Sequence, residues 1–205
     1  MIISVEGCLG VGKSTLVRRV AERTPCTPVF EEVTANPFLR DFYRAQKQYA
    51  PHVQFTFLLL QERLFRTALE LARRPARRPS SLEHEGRPDT SLTQVAAQAE
   101  EPSAVVCDFH PFKSKVFASM VLSPDMQTTL AHLYRDLRIP EPDLVVYLRA
   151  DEQTILHRLR KRQESYLEQI DLSYIVRVCH AYDTFFRQYP GRVITIDTTH
   201  IDYVQ

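Results

Sequence analysis

The chain has 205 residues, 44% hydrophobic and 25% charged, which suits one α/β domain with a full core. A formal net charge of +1 leaves no general basic footprint for nucleic acid, and no apolar run reaches the length of a membrane span. Cys8, Cys26, Cys107 and Cys179 lack any C-x-x-C pairing, so neither zinc nor a disulfide framework is indicated. A soluble, cytoplasmic protein with small packed thiols is expected.

Met1 through Glu6 is a short apolar run suited to a buried strand, with no signal-peptide pattern before it. Gly7-Cys8-Leu9-Gly10-Val11-Gly12-Lys13-Ser14 then fills every required position of the phosphate-binding pattern G-x-x-x-x-G-K-[ST]. Thr15 and the residues after it continue with helical spacing. Strand, glycine loop and helix in this order aim backbone N–H groups and a helix N-terminus at one polyphosphate. Gly7, Leu9, Gly10, Val11, Gly12, Lys13, Ser14 and Thr15 form the expected phosphate cradle. Lys13 would reach the β- and γ-phosphates and Ser14 would ligate Mg²⁺.

Further apolar segments at Pro28–Glu32, Ala104–Asp108, Leu144–Leu148 and Arg192–Asp197 alternate with helical patterns. The fold class predicted is a P-loop NTPase-type, five-stranded parallel sheet with helices on both faces and a helical lid. Glu6, Glu31 and Glu32, Asp108 and Asp197 fall at strand ends, where such sheets bind ligands. Gln54 through Leu71 reads as a long amphipathic helix. The stretch 73–102 that follows is a polar, Arg- and Pro-rich insertion with a short helical pattern at Leu92–Ala99. It reads as a solvated insertion first and a contact for a phosphate-rich partner second. The chain is expected to be a single domain over 1–205. Arg158, Arg160, Lys161 and Arg162 crowd a short helical stretch within about 155–170, read as a mobile lid over the phosphates rather than a solvated face.

Together with the P-loop, several segments carry a resemblance to the deoxynucleoside kinase family, particularly its bacterial deoxyadenosine/deoxyguanosine kinase branch. They are Phe30-Glu31-Glu32-Val33-Thr34-Ala35-Asn36-Pro37-Phe38-Leu39, Phe42-Tyr43, Gln54-Phe55-Thr56-Phe57-Leu58, Cys107-Asp108-Phe109-His110, Pro142 through Leu148, and Arg158 through Tyr174. The resemblance covers essentially everything outside the insertion. It implies ATP- and Mg²⁺-dependent phosphorylation of a deoxynucleoside 5′-hydroxyl in salvage, with a homodimer expected and a heterodimer with a related kinase chain second. By this resemblance Glu31 is the general base, with Glu32 in reserve, and Asp108 holds Mg²⁺ beside Ser14. Tyr43 meets the sugar 3′-hydroxyl and Gln54 reads the base edge. Phe38, Phe57, Phe109 and Phe112 are candidates to wall in the base, at most two of them doing so. Arg158 and Arg162 close on the transferring group.

The chain also departs from the family pattern. The arginine usual after the third-strand acid is missing, and Lys113 is the candidate replacement. Gln61 and Ser114 stand where an arginine and its acidic partner are frequent. In the lid, Glu164 and Leu167 replace an arginine and a glutamate, with Glu168 as the substitute carboxylate. Two rivals follow: a nucleoside monophosphate kinase of the thymidylate kinase type, and a nucleotide-binding regulatory subunit. Deoxyadenosine, deoxyguanosine and deoxycytidine stay open as acceptors, in that order, and so does the identity of the donor.

Overall fold

The computed structural model describes residues 1–73, 104–161 and 170–201. Its sheet has five parallel strands, β1 (Ile2–Gly7), β2 (Cys26–Val29), β3 (Ala104–Cys107), β4 (Leu144–Arg149) and β5 (Val193–Asp197). They lie in the order β2-β3-β1-β4-β5. β1 is therefore central, and the loop leaving it opens at the crest of the sheet between β3 and β4. Both faces of β1 are covered, so its residues are nearly all buried, as a parallel sheet requires.

Side chains alternate across the sheet, and the two faces have different cores. On one face, Val5, Val106 and Leu148 pack against Val17 of α1 (Lys13–Arg23) and against Val11 of the loop. On the other, Ile2, Val105 and Cys107 pack against Phe65 and Ala68 of α3 (Gln46–Arg73). The remaining helices are α2 (Leu39–Arg44), α4 (Lys113–Val121), α5 (Pro124–Asp136), α6 (Glu152–Arg160) and α7 (Leu172–Gln188). α6 and α7 each open on an aspartate cap, Asp151 accepting from the Thr154 N–H and Asp171 from the Tyr174 N–H.

Two elements differ from their sequence patterns. β2 ends at Val29 instead of running to Glu32. It is an edge strand whose only neighbour, β3, ends level with it, Val29 standing opposite Cys107. The Asp108 carboxylate then takes the Glu31 N–H, turning the chain out of the sheet. α3 starts at Gln46 rather than Gln54 and carries Pro51 inside it. A proline there forfeits one helical hydrogen bond, but burial of Ala50 and Val53 in the core holds the turn. The predicted insertion lies outside the described residues apart from Arg73, as does the helical pattern at Leu92–Ala99. So do residues 162–169 of the predicted lid. Its first part, α6, is a packed helix with Ile155, Leu156 and Leu159 buried.

Gly7 explains why the loop must begin with glycine. Its φ is +142°, and a Cβ there would lie 2.3 Å from the Leu148 carbonyl oxygen. Backbone strain and a clash with a neighbouring strand cannot be relieved by a rotamer change. Gly7→Ala is expected to destabilise the fold by about 2–5 kcal/mol, read as a lower urea midpoint at unchanged m.

Candidate active site

The loop leaves β1 at Gly7 and enters α1 through Gly12, which holds a left-handed φ of 110° at the cap position. Leu9, Gly10, Gly12, Lys13 and Ser14 line a cavity of about 160 Å³ at the crest of the sheet. Gly7, Val11 and Thr15 lie outside its wall, and the Val11 side chain is fully buried in the core beneath. The Lys13 ammonium donates to the carbonyl oxygens of Gly7 (2.9 Å) and Cys8 (3.0 Å). Burial, reinforced by the nearby Lys113 charge, lowers Lys13 to about 8.

Opposite the loop, one network joins the residues after β2 and β3 to the middle of α3 and the start of α4. The Ser14 hydroxyl donates to Asp108 Oδ2, and Asp108 Oδ1 accepts the Glu31 N–H at 2.7 Å. Glu31 Oε2 pairs with Lys113 Nζ at 2.6 Å, and Gln61 Nε2 donates to Glu31 Oε1 at 2.5 Å. Ser114 in turn donates to Gln61 Oε1 at 3.1 Å. Burial alone would raise the Glu31 carboxyl. The Lys113 charge and the hydrogen bonds from Lys113 and Gln61 outweigh it and hold Glu31 below the usual carboxylate range. Lys113 is raised by the same pairing, Glu31 and Glu6 together overcoming its own desolvation. Glu31 and Lys113 are thus an ion pair, and Lys113 does bring a cation to the end of β3. Glu32 is exposed, the alternation expected of a neighbouring residue even beyond the strand end.

A second carboxylate lies one layer deeper. Glu6 is fully buried and accepts the His110 backbone N–H (2.5 Å) and the Tyr182 hydroxyl (3.1 Å). Burial raises it to about 7, against the pull of Lys113 and Lys13. The sequence marks Glu6 only as one of several strand-end acids. Nothing local to it signals that Lys113, the His110 N–H and the Tyr182 hydroxyl converge there from distant segments.

The far wall of the cavity brings together Tyr43 from α2, Gln54 and Phe57 from α3, and Tyr174 from α7. Gln54 is buried, and the Tyr43 and Tyr174 rings meet edge-on at 6.2 Å. Tyr174 carries no sequence signal setting it apart from Tyr182, the other tyrosine of α7. Three predicted wall residues are corrected. Phe109 is fully buried against Ile2, Phe65 and Cys107 on the α3 face of the sheet. Phe112 is buried among Phe185, Phe186 and Tyr189. Phe38 packs on His52, its N–H held by Asn36. None of the three lines the cavity: the turn after Asp108 directs Phe109 and Phe112 into core, and Phe38 is held on the α3 side by Asn36 and His52.

Arg158 is also relocated. Its guanidinium donates to the Val11 carbonyl (3.3 Å), the Thr198 hydroxyl (3.1 Å) and the carbonyls of Thr198 (2.7 Å) and Ile201 (3.0 Å). It ties the back of the phosphate loop to the segment after β5 and does not line the cavity. Arg162 and Glu168 lie outside the described residues. Among the described residues no helix is long and apolar enough to cross a membrane.

A glycine-rich loop at the head of the central strand, acids following β2 and β3, and a cavity for a small acceptor define a P-loop phosphotransferase. The chain belongs to the deoxynucleoside kinase family, whose sequence model matches residues 3–205. Deoxyguanosine kinase of Bacillus subtilis (strain 168) is 26% identical over 209 residues, covering 98% of this chain and 88% of that protein. Deoxyadenosine/deoxycytidine kinase of the same organism is 30% identical over 173 residues, 84% of this chain and 70% of its own length. In fold, the chain matches a deoxyadenosine kinase of M. mycoides with dCMP and dCDP bound. The TM-score is 0.77 at 19% identity, covering 99% of this chain and 93% of that one. The same kinase with dATP matches with a TM-score of 0.75. The protein is an enzyme that phosphorylates deoxynucleosides, a reaction of nucleotide salvage. The monophosphate kinase and regulatory-subunit readings are not favoured.

Proposed function

We propose that this enzyme transfers the γ-phosphoryl group of ATP to the 5′-hydroxyl of a purine deoxynucleoside, with Glu31 as the general base. The observation that carries the reading is an ionised, cation-paired Glu31 on the cavity wall between the phosphate loop and the Tyr43–Gln54–Phe57 wall. A carboxylate in that place can take the hydroxyl proton as the oxygen attacks phosphorus. Lys13 binds the donor phosphates once it exchanges loop carbonyls for phosphate oxygens. The amide of Gln54 supplies a donor beside an acceptor, which matches the edge of adenine or guanine. Each of the curated relatives is named for deoxyguanosine or deoxyadenosine, one of them for deoxycytidine as well, which favours a purine first.

Mg²⁺ fits Ser14 and Asp108. Among the described residues no cluster of three His, Cys, Asp or Glu side chains could hold a metal alone. The hydroxyl and carboxylate already in contact are hard oxygen donors of the kind Mg²⁺ takes alongside nucleotide phosphates. Bound there, the ion would neutralise charge on the β- and γ-phosphates. Arg162 is proposed as the lid cation in preference to Arg158, whose donors are engaged on Val11, Thr198 and Ile201. A homodimer is proposed from family membership, and a cytoplasmic location from the unpaired thiols.

The test is a panel of initial rates with ATP and Mg²⁺ on the four deoxynucleosides and on deoxyadenosine monophosphate. Deoxyadenosine or deoxyguanosine should give the highest kcat/KM, and the monophosphate should give no turnover. A preference for a pyrimidine sinks the base assignment, and turnover of the monophosphate sinks the acceptor assignment.

A further inference from the structure

Cys8, the second residue of the phosphate loop, turns its side chain away from the cavity. It is 3% exposed and sits among Ile155, Leu159, Tyr174 and Val178. Cys179 of α7, partly buried, packs against the same cluster. Both also line a separate small cavity of about 40 Å³, rimmed by Arg149, Glu152 and Asp183. Cys179 is half-buried and reachable, whereas Cys8 is enclosed. The other two cysteines have different surroundings. Cys107 lies in the β3 core, and Cys26 accepts from Thr24 at 3.4 Å.

We propose that Cys8 and Cys179 form a thiol–disulfide modification site, at which a low-molecular-weight disulfide drives an intramolecular bond that ties the phosphate loop to α7 and weakens nucleotide binding. Cys179 is the attacking group. The Cys8 thiol beside it holds it below its ordinary value against burial and the nearby Glu152 and Asp183 charges, with a smaller contribution from Arg149. Cys8, being buried, is held high and stays a thiol. The Cys179 thiolate attacks one sulfur of the reagent, forming a mixed disulfide and expelling one small thiolate, which takes up a proton. Cys8 then loses its proton, attacks the Cys179 sulfur and expels the second small thiol. The two protein thiols are oxidised, the reagent disulfide is reduced to two thiols, and no further oxidant is needed.

The consequence for the loop follows from bond length. Disulfide sulfurs lie about 2.0 Å apart, closer than two packed thiols can stand, so closure must draw Cys8 and α7 together. The Cys8 carbonyl accepts from Lys13 Nζ at 3.0 Å and from the Val11 N–H at 3.3 Å. A shift at Cys8 therefore moves the lysine and the loop turn together, away from the arrangement that receives phosphates. A transient, regulatory disulfide is the kind that a reducing compartment permits.

The experiment incubates the full chain with oxidised glutathione, maps thiols by peptide mass spectrometry and measures the ATP Kd by calorimetry. Neither readout depends on turnover, so the result is separable from the kinase reading. In the wild type, the four cysteines should fall to two free thiols. A peptide linking Cys8 to Cys179 should appear, and both changes should reverse with dithiothreitol. The ATP Kd should rise about ten- to hundredfold, the range of one lost charge-assisted hydrogen bond. Cys8→Ser should stop at a glutathione adduct on Cys179. Cys179→Ser should keep its thiols and its ATP affinity. The absence of a linked peptide, equal oxidation of Cys179→Ser, or a linked protein with unchanged ATP affinity would each overturn the proposal.

Discussion

Replacing Glu31 with glutamine is expected to lower kcat by about 10²–10⁴, the usual contribution of a positioned general base, while the KM for the deoxynucleoside changes little. Glutamine keeps the volume and can still face Gln61 and Lys113, so the cavity keeps its shape. What it loses is the acceptor for the hydroxyl proton. The variant also leaves Lys113 without its 2.6 Å partner in a pair whose side chains are only 14% and 8% exposed. Removing one member of a buried pair costs about 3–5 kcal/mol. The loss here should sit at the low end, because Glu6 still faces the ammonium. Steady-state kinetics and urea unfolding of the same preparation separate the two effects. A fall in kcat of less than about tenfold would remove Glu31 from the role and direct attention to Glu32.

Lys113→Met should shift the acid limb of the kcat/KM profile for the deoxynucleoside to higher pH. In the wild type, burial pushes Glu31 upward and Lys113 is the largest opposing influence. Without the cation, burial dominates and the base is protonated over more of the working range. The stability sign follows from the same pair. A depressed Glu31 contributes stability that is present above its ordinary 4.5 and is lost as pH falls through its lower folded value. The variant should lose that acid-side dependence. Glu6 acts in the opposite sense, because its folded value is raised. Its contribution is fully present below 4.5 and is lost as pH rises towards about 7. Removing Lys113 takes away an attraction that holds Glu6 down, so this second window should extend upward. Denaturation midpoints measured from pH 4 to 9 check both slopes, and an unmoved acid limb would show that Lys113 does not set the protonation of the base.

How much could be read in advance depended on how local the cause was. The phosphate loop was legible because its conformation is written in neighbouring residues. Gly7, Gly10 and Gly12 take φ values that side chains resist, and Lys13 opens the helix that follows. The parallel sheet was legible for a similar reason, since short apolar runs alternating with helical spacing admit few architectures. Asp108 and Glu31 could be proposed as a pair because parallel strands bring their ends to one crest. The side-chain assignments were less secure. Phe57 reaches the cavity, whereas Phe38, Phe109 and Phe112 enter the core, and aromatic character alone cannot distinguish these destinations. Arg158 stood in a cationic run that suggested a lid, yet carbonyls 40 and 43 positions away claim its guanidinium.

By itself, then, the sequence determined the phosphate loop, the α/β class and the set of acids at the strand ends, because each rests on residues within one element or on the order of elements. Only the tertiary structure decided which of those groups act on one another. Gln61 reaches Glu31 across thirty residues, Lys113 across eighty-two, and Glu6 collects donors from His110 and Tyr182 at separations of 104 and 176. Such partners are chosen by packing. A buried charge must find its counter-charge wherever the folded chain brings one, and no pattern along the chain records where that is.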